Sequence, residues 1–218
     1  MLNRWKGIAH IATNTTGSGD VQVIKQWSRG GRQSDLLEKC PSRYAYANEN
    51  PTLKEDVWGY QVQAGMKSYS WFKLLLDKDT DATKYDDPLL RQSAGQGMTD
   101  LPPGKTSTDL VVDYLRQVYN HTQFCLEEVI GKGMVRETPC HYKLTLPAMW
   151  GHQAREWTRE AAESAGFGTR SYGEVQDKLS MIDEPEAGAI YAIKSTIDRF
   201  PEKHPFEVFC ARCSHLPF

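Results

Sequence analysis

Several absences bound this sequence before any motif does. No apolar run approaches the roughly 20 residues that a membrane-spanning helix needs. The five cysteines, Cys40, Cys125, Cys140, Cys210 and Cys213, are odd in number and scattered. That argues against a disulfide scaffold and for a reducing compartment. Neither sign of charge dominates: 26 basic side chains face 28 acidic ones, a net charge of −2. The general electrostatic case for binding nucleic acid or a membrane surface therefore falls away. The stretch Met1 to Gly7 carries none of the apolar character of a secretory signal. Internal repeats and low-complexity tracts are also absent. The expectation is a soluble, globular, intracellular protein, cytoplasmic with the nucleus as the alternative.

What is present suits one ordinary domain or two small ones: 218 residues, 39% hydrophobic and 25% charged. The first half has the marks of extended structure. Two period-2 runs, Gly7–Thr13 and Asp20–Trp27, flank a Gly-containing connection and predict a hairpin. Short strands are predicted around Arg43–Ala47 and Val57–Val62. From Met66 to Asp77 the density of apolar and aromatic residues predicts a largely buried helix. Lys78 to Ser107, rich in Asp, Pro and Gly, reads as a surface connection.

The second half alternates helix and strand. A helix capped at Ser107 or Thr108 is predicted to run to about Ile130, ended by Gly131 and Gly133. His141 to Leu146 is a strand closed by Pro147, and Gly151 to Gly166 a helix. Lys178 to Ile182 is a strand, and a helix starts at Pro185 and runs to about Lys194. That order implies a parallel α/β arrangement.

Two motifs with chemical potential fail on their spacing. Gly104-Lys105-Thr106 is the end of a phosphate-binding loop, but the required glycine five positions earlier is Thr99 and no strand precedes it. A turn entering a helix is the expectation. Cys210, Cys213 and His215 are residue types that zinc accepts, yet a second Cys/His pair at suitable spacing is lacking, so a tail without metal is expected. Asn14-Thr15-Thr16 and Asn120-His121-Thr122 fit the glycosylation pattern but have no secretory route to use it. His121 and His152 fall on predicted helices, where ordinary polar-face histidines are expected.

The informative segments lie further on: Leu146-Pro147-Ala148-Met149-Trp150, the helix from Gln153 to Ala165-Gly166, and Ile182-Asp183-Glu184-Pro185-Glu186-Ala187. Together they resemble the seventy-kilodalton heat-shock chaperone family, whose ATPase domain is actin-like and reads Val-Pro-Ala-Tyr-Phe and Asn-Glu-Pro-Thr-Ala there. The wider chain is most similar to divergent fungal members, through Val23-Ile24-Lys25-Gln26-Trp27, Trp58-Gly59-Tyr60, Trp71-Phe72-Lys73-Leu74-Leu75-Leu76-Asp77 and Val112-Asp113-Tyr114-Leu115. The resemblance runs in order from about Gly7 to about Glu207. It implies that Lys73 matches the lysine that reaches the nucleotide γ-phosphate, and Glu184 the glutamate that positions magnesium-bound and attacking water. Pro147 and Arg155 match the proline and arginine that relay nucleotide state toward the partner domain.

The same resemblance implies a partial lobe. The family's first strand, with Gly-x-Asp-x-Gly-Thr-Thr, and its second phosphate loop, Asp-x-Gly-Gly-Gly-Thr, have no counterpart in these residues. The expected architecture is an α/β, ribonuclease H-like lobe with a mixed sheet, lacking that first strand and the second lobe. Residues 1–27 plus 108–195 would form its core subdomain, 28–107 an inserted peripheral subdomain and 196–218 an irregular tail. The expected function is a degenerate actin-like ATPase without independent hydrolysis, used as a binding module. No metal site and no cofactor are expected for the chain alone. The alternative is the N-terminal part of a chaperone-like enzyme that binds and hydrolyses Mg-ATP when complete. The missing strand would leave two half-sheets with unpaired edges, through which a protein partner could pair.

Overall fold

The computed structural model describes residues 5–10, 21–27, 38–77 and 100–197. Strand β1 (Trp5–Lys6) pairs antiparallel with β4 (Cys40–Pro41). Strands β2 (Ala9–His10) and β3 (Gln22–Val23) form the expected hairpin, with Ala9 opposite Val23 and the Ile24 N–H donating to the Ile8 carbonyl at 2.9 Å. A three-stranded antiparallel sheet places β5 (Arg43–Ala45) between β6 (Val57–Trp58) and β7 (Tyr69–Ser70). Both predicted strands in this stretch are present, shorter than expected.

The helix predicted over Met66–Asp77 is not. The chain there makes β7, then a 3-10 turn over Phe72–Leu76. Between them Trp71 takes a left-handed backbone, φ 66°, which interrupts any helix. Pairing of Tyr69 and Ser70 with β5, together with burial of Tyr69, Phe72 and Leu76, satisfies the apolar residues without the costly nucleus that a helix requires.

Helix α1 (Ser107–Ile130) is capped by Thr106, one residue before Ser107 and two before Thr108, the caps expected for it. The Thr106 hydroxyl accepts from the Asp109 N–H at 3.2 Å, and the Asp109 carboxylate accepts from the Thr106 N–H at 2.8 Å, a reciprocal cap. Its buried stripe is Leu110, Val111, Tyr114, Val118 and Thr122. Gly131 ends it as expected, but Gly133 does not act as a second stop, since a short helix α2 (Lys132–Glu137) carries it. Strand β8 (His141–Leu146), helix α3 (His152–Ala165), strand β11 (Lys178–Asp183) and helix α4 (Glu184–Ile197) follow the predicted order. A small hairpin, β9 (Ser171–Tyr172) and β10 (Val175–Gln176), is inserted before β11. Strands β8 and β11 run parallel, His141 opposite Lys178 through Leu146 opposite Asp183.

One hydrophobic core joins these parts. Ile24 and Trp27 pack with Cys40, Tyr44, Tyr46, Trp58 and Phe72, then with Leu110 and Tyr114 of α1, Leu146 of β8 and Ala161 and Ala162 of α3. The core thus draws on the 28–107 stretch and the 108–195 stretch together. Among the described residues the β2–β3 hairpin and the β8–β11 pair share no hydrogen-bonded ladder. The architecture is mixed α/β with several small sheets, and no described helix is long and apolar enough to cross a membrane. The 198–218 stretch, including Cys210, Cys213 and His215, and the Asn14 motif lie outside the described residues, as does most of the predicted 78–107 connection.

Candidate functional site at the carboxyl ends of two parallel strands

Strands β8 and β11 finish side by side, Leu146 in register with Asp183. The carboxyl ends of parallel strands are where α/β folds commonly bind ligands, because the connections leaving them are free to vary. Pro147 closes β8, and the Trp150 N–H donates to the Pro147 carbonyl at 3.2 Å, making a turn that ends on the indole of Trp150. Glu184 follows β11 directly as the first residue of α4.

Lys73 reaches this place from the other half of the chain. Buried Phe72 and Leu76 anchor its 3-10 turn, with the Phe72 ring 5.1 Å from the ring of Tyr114. With Phe72 and Leu76 committed to the core, Lys73 between them extends away from it. Its ammonium donates to Glu184 Oε1 at 2.9 Å and sits 5.2 Å from the centroid of the Trp150 ring. The two charged side chains retain 18% and 34% of their exposure. At such exposure an ion pair contributes about 0–1 kcal/mol, and the cation over the indole about 0.5–1 kcal/mol more.

Arg155, on the first turn of α3, spans the same turn from the other side. Its Nε donates to the Trp150 carbonyl at 3.2 Å and its Nη2 to the Ala148 carbonyl at 3.4 Å. Nη2 also lies 2.6 Å from Asp183 Oδ1. That oxygen is shielded from solvent and its contact with Arg155 departs from hydrogen-bond angles, so the interaction is best described as a close ion pair.

All four residues singled out from the sequence, Lys73, Pro147, Arg155 and Glu184, therefore converge on one end of one small sheet. Two members of the cluster, Trp150 and Asp183, received no role in the sequence reading. The signal for Asp183 was its place beside Glu184, where the heat-shock family reads Asn. For Trp150 it was the large aromatic that closes the Pro-Ala-x-Trp segment.

The other candidates have structural occupations. Gly104, at φ 74°, lies in the turn that delivers the chain to Thr106 and α1. Lys105 donates to Asp113 at 2.6 Å and lies 4.9 Å from the Tyr46 ring centroid, so the Gly-Lys-Thr segment is a turn entering a helix. His121 stacks on Trp27 at 5.1 Å and its Nε2 meets the Gln26 carbonyl at 2.7 Å. Burial holds its pKa below the ordinary value, with the Gln26 bond acting in the opposite direction. His152 opens α3 at the surface. Burial pushes the Cys40 thiol up to about 12, which makes it a poor nucleophile. Among the described residues no group of three or more His, Cys, Asp or Glu side chains is arranged to hold a metal ion. No protein-family model matches the chain, and no curated protein matches it either.

Proposed function

We propose that the chain is a degenerate first lobe of an actin-like ATPase of the seventy-kilodalton heat-shock type, working in the cytoplasm as a binding module without hydrolysing ATP on its own. One observation carries this reading. Lys73 and Glu184, chosen from a resemblance and separated by 111 positions, meet at 2.9 Å. An accidental resemblance would give no reason for the two to share a site, still less with Pro147 and Arg155 beside them.

The residues fit the phosphate end of Mg-ATP in kind. Lys73 would meet a phosphate oxygen, and Glu184 would order a metal-bound water. Magnesium, when bound, neutralises phosphate charge. Much of the transition-state stabilisation in phosphoryl transfer comes from preorganised donors around the phosphates. The two glycine-rich loops that supply those donors in the family do not occur in these 218 residues. Weak binding without turnover follows. On the same reading the edges of β2–β3 and β8–β11 that pair with no strand among the described residues are where a protein partner pairs, with no role for nucleic acid or membrane.

A second reading makes these residues the N-terminal part of a complete ATP hydrolase. The separate ladders of β2–β3 and β8–β11 favour it, because the family's first strand lies between such a hairpin and such a strand.

Titration of the purified chain with Mg-ATP, followed by calorimetry and by the fluorescence difference between wild type and Trp150→Phe, tests the proposal. Binding in the millimolar range is expected, lost in Lys73→Ala, with no hydrolysis above background. A Trp150 signal that stays silent up to saturating nucleotide overturns the nucleotide reading. Micromolar binding with turnover, lost in both Lys73→Ala and Glu184→Ala, overturns the degenerate one in favour of the hydrolase.

A further inference from the structure

Asp183 and Glu184 are neighbours in sequence, and each carboxylate is already in contact with a cation: Glu184 with Lys73 at 2.9 Å, Asp183 with Arg155 at 2.6 Å. The side chains of both pairs keep partial exposure, 18% and 34% for the first and 30% and 35% for the second, so dissolved ions can approach the cluster, although Asp183 Oδ1 itself is shielded. The two cations are linked through Trp150, whose ring lies under Lys73 and whose carbonyl accepts from Arg155. The four charges sum to zero. An incoming anion meets no net charge on these four groups, and it competes with a carboxylate for each cation.

We propose that Asp183 and Glu184 are internal competitors that keep phosphate-class anions off Lys73 and Arg155, and so set the anion selectivity of this site. The proposal rests on the reading of this strand end as a phosphate site. Glu184 is a family residue by resemblance, whereas Asp183 adds a carboxylate where the family has an amide, which makes the closure a property of this chain. Neutralising one carboxylate leaves the cluster at +1, and neutralising both leaves it at +2, with neither Lys73 nor Arg155 facing a counter-charge within the cluster.

Inorganic pyrophosphate, without metal or nucleotide, is the probe, measured by calorimetry and phosphorus NMR at low and high salt. Wild type is expected to bind negligibly. Asp183→Asn and Glu184→Gln should each gain affinity, and the double variant should gain on the order of ten- to a hundredfold at low ionic strength, a gain that shrinks in high salt. Adding Lys73→Met to the double variant should abolish most of that gain. A folded double variant with no gain overturns the proposal, as does a gain that survives Lys73→Met. If the double variant does not fold, the isosteric Asp183→Asn change alone carries the same test. The outcomes separate from those of the Mg-ATP titration. A pyrophosphate gain with a silent wild-type Mg-ATP titration keeps the charge closure and removes the nucleotide reading, and the reverse pattern does the opposite.

Discussion

The two ends of the β8–β11 pair hold ion pairs of the same length and different character. At the amino end Arg170 Nε lies 2.9 Å from Asp177 Oδ2, and at the carboxyl end Lys73 Nζ lies 2.9 Å from Glu184 Oε1. The Asp177 side chain is wholly buried, 0% exposed, against 34% for Glu184. Asp177 also accepts from the Cys140 N–H at 2.7 Å, and the Asp177 N–H donates to the Arg170 carbonyl at 2.8 Å. Arg170 further donates to the Val135 carbonyl at 3.4 Å, tying the β9–β10 hairpin, the start of β8 and α2 together. Distance alone does not say what an ion pair does. The difference lies in the carboxylates, since Arg170 keeps 26% of its exposure and Lys73 18%. Where the carboxylate is sealed from water and also held by a backbone N–H, the pair is a structural joint; where the carboxylate stays wet, the pair can be exchanged for a ligand.

The largest effect should come from breaking the buried joint. Arg170→Met leaves the Asp177 carboxylate buried without a counter-charge and is expected to cost about 3–5 kcal/mol in urea denaturation. A loss as small as that of a surface pair would erase the distinction between the two ends. A smaller loss, about 1–3 kcal/mol, is expected for Gly166→Ala on the loop that leads from α3 to Arg170. Gly166 has φ 117°, and a Cβ there would come within 2.9 Å of Tyr119 Cε1. Thermal or chemical unfolding measures it, and a neutral result would mean that this end yields more readily than its packing suggests.

At the carboxyl end, Lys73→Met should change stability by less than about 1 kcal/mol, and salt should weaken its coupling to Glu184 in a double-mutant cycle. A salt-independent coupling of several kcal/mol would place this pair with the buried one. The smallest effect concerns His121, remote from both. Burial depresses its folded pKa below the ordinary 6.5, so the unfolded chain takes up the proton first. Stability is then full above pH 6.5 and falls as pH drops toward the folded value. The urea midpoint measured against pH should show that fall, and His121→Gln should flatten it. An unchanged slope would assign the acid sensitivity elsewhere.

The elements most legible in the sequence were those whose cause is local. Helix α1 carries a side-chain cap, α1 and α3 each carry a buried stripe and a terminal glycine, and β8 ends at a proline. The 66–77 stretch departs from its helical pattern because what organises it, pairing of Tyr69 with Tyr44 and burial of Phe72 against Tyr114, lies far away along the chain. Similarly, Lys73 and Glu184 were found through resemblance to whole segments. The local signals at Asp183 and Trp150, a neighbour of Glu184 and an aromatic closing a segment, do not name their partners, since each acts through a residue on another element.

By itself, then, the sequence determined where the long helices begin and end and that β8 and β11 should run parallel, because helix hydrogen bonds close within four residues and a helical crossover favours parallel strands. It also determined the near-neutral charge balance, which supplies no general electrostatic attraction for polyanions. Only the tertiary structure decided that Lys73 meets Glu184, that Arg155 meets Asp183, and that Asp177 is sealed from water while Glu184 is not. The strength and exchangeability of an ion pair depend on how much water the surrounding packing excludes, and that packing is assembled from residues distant in the chain.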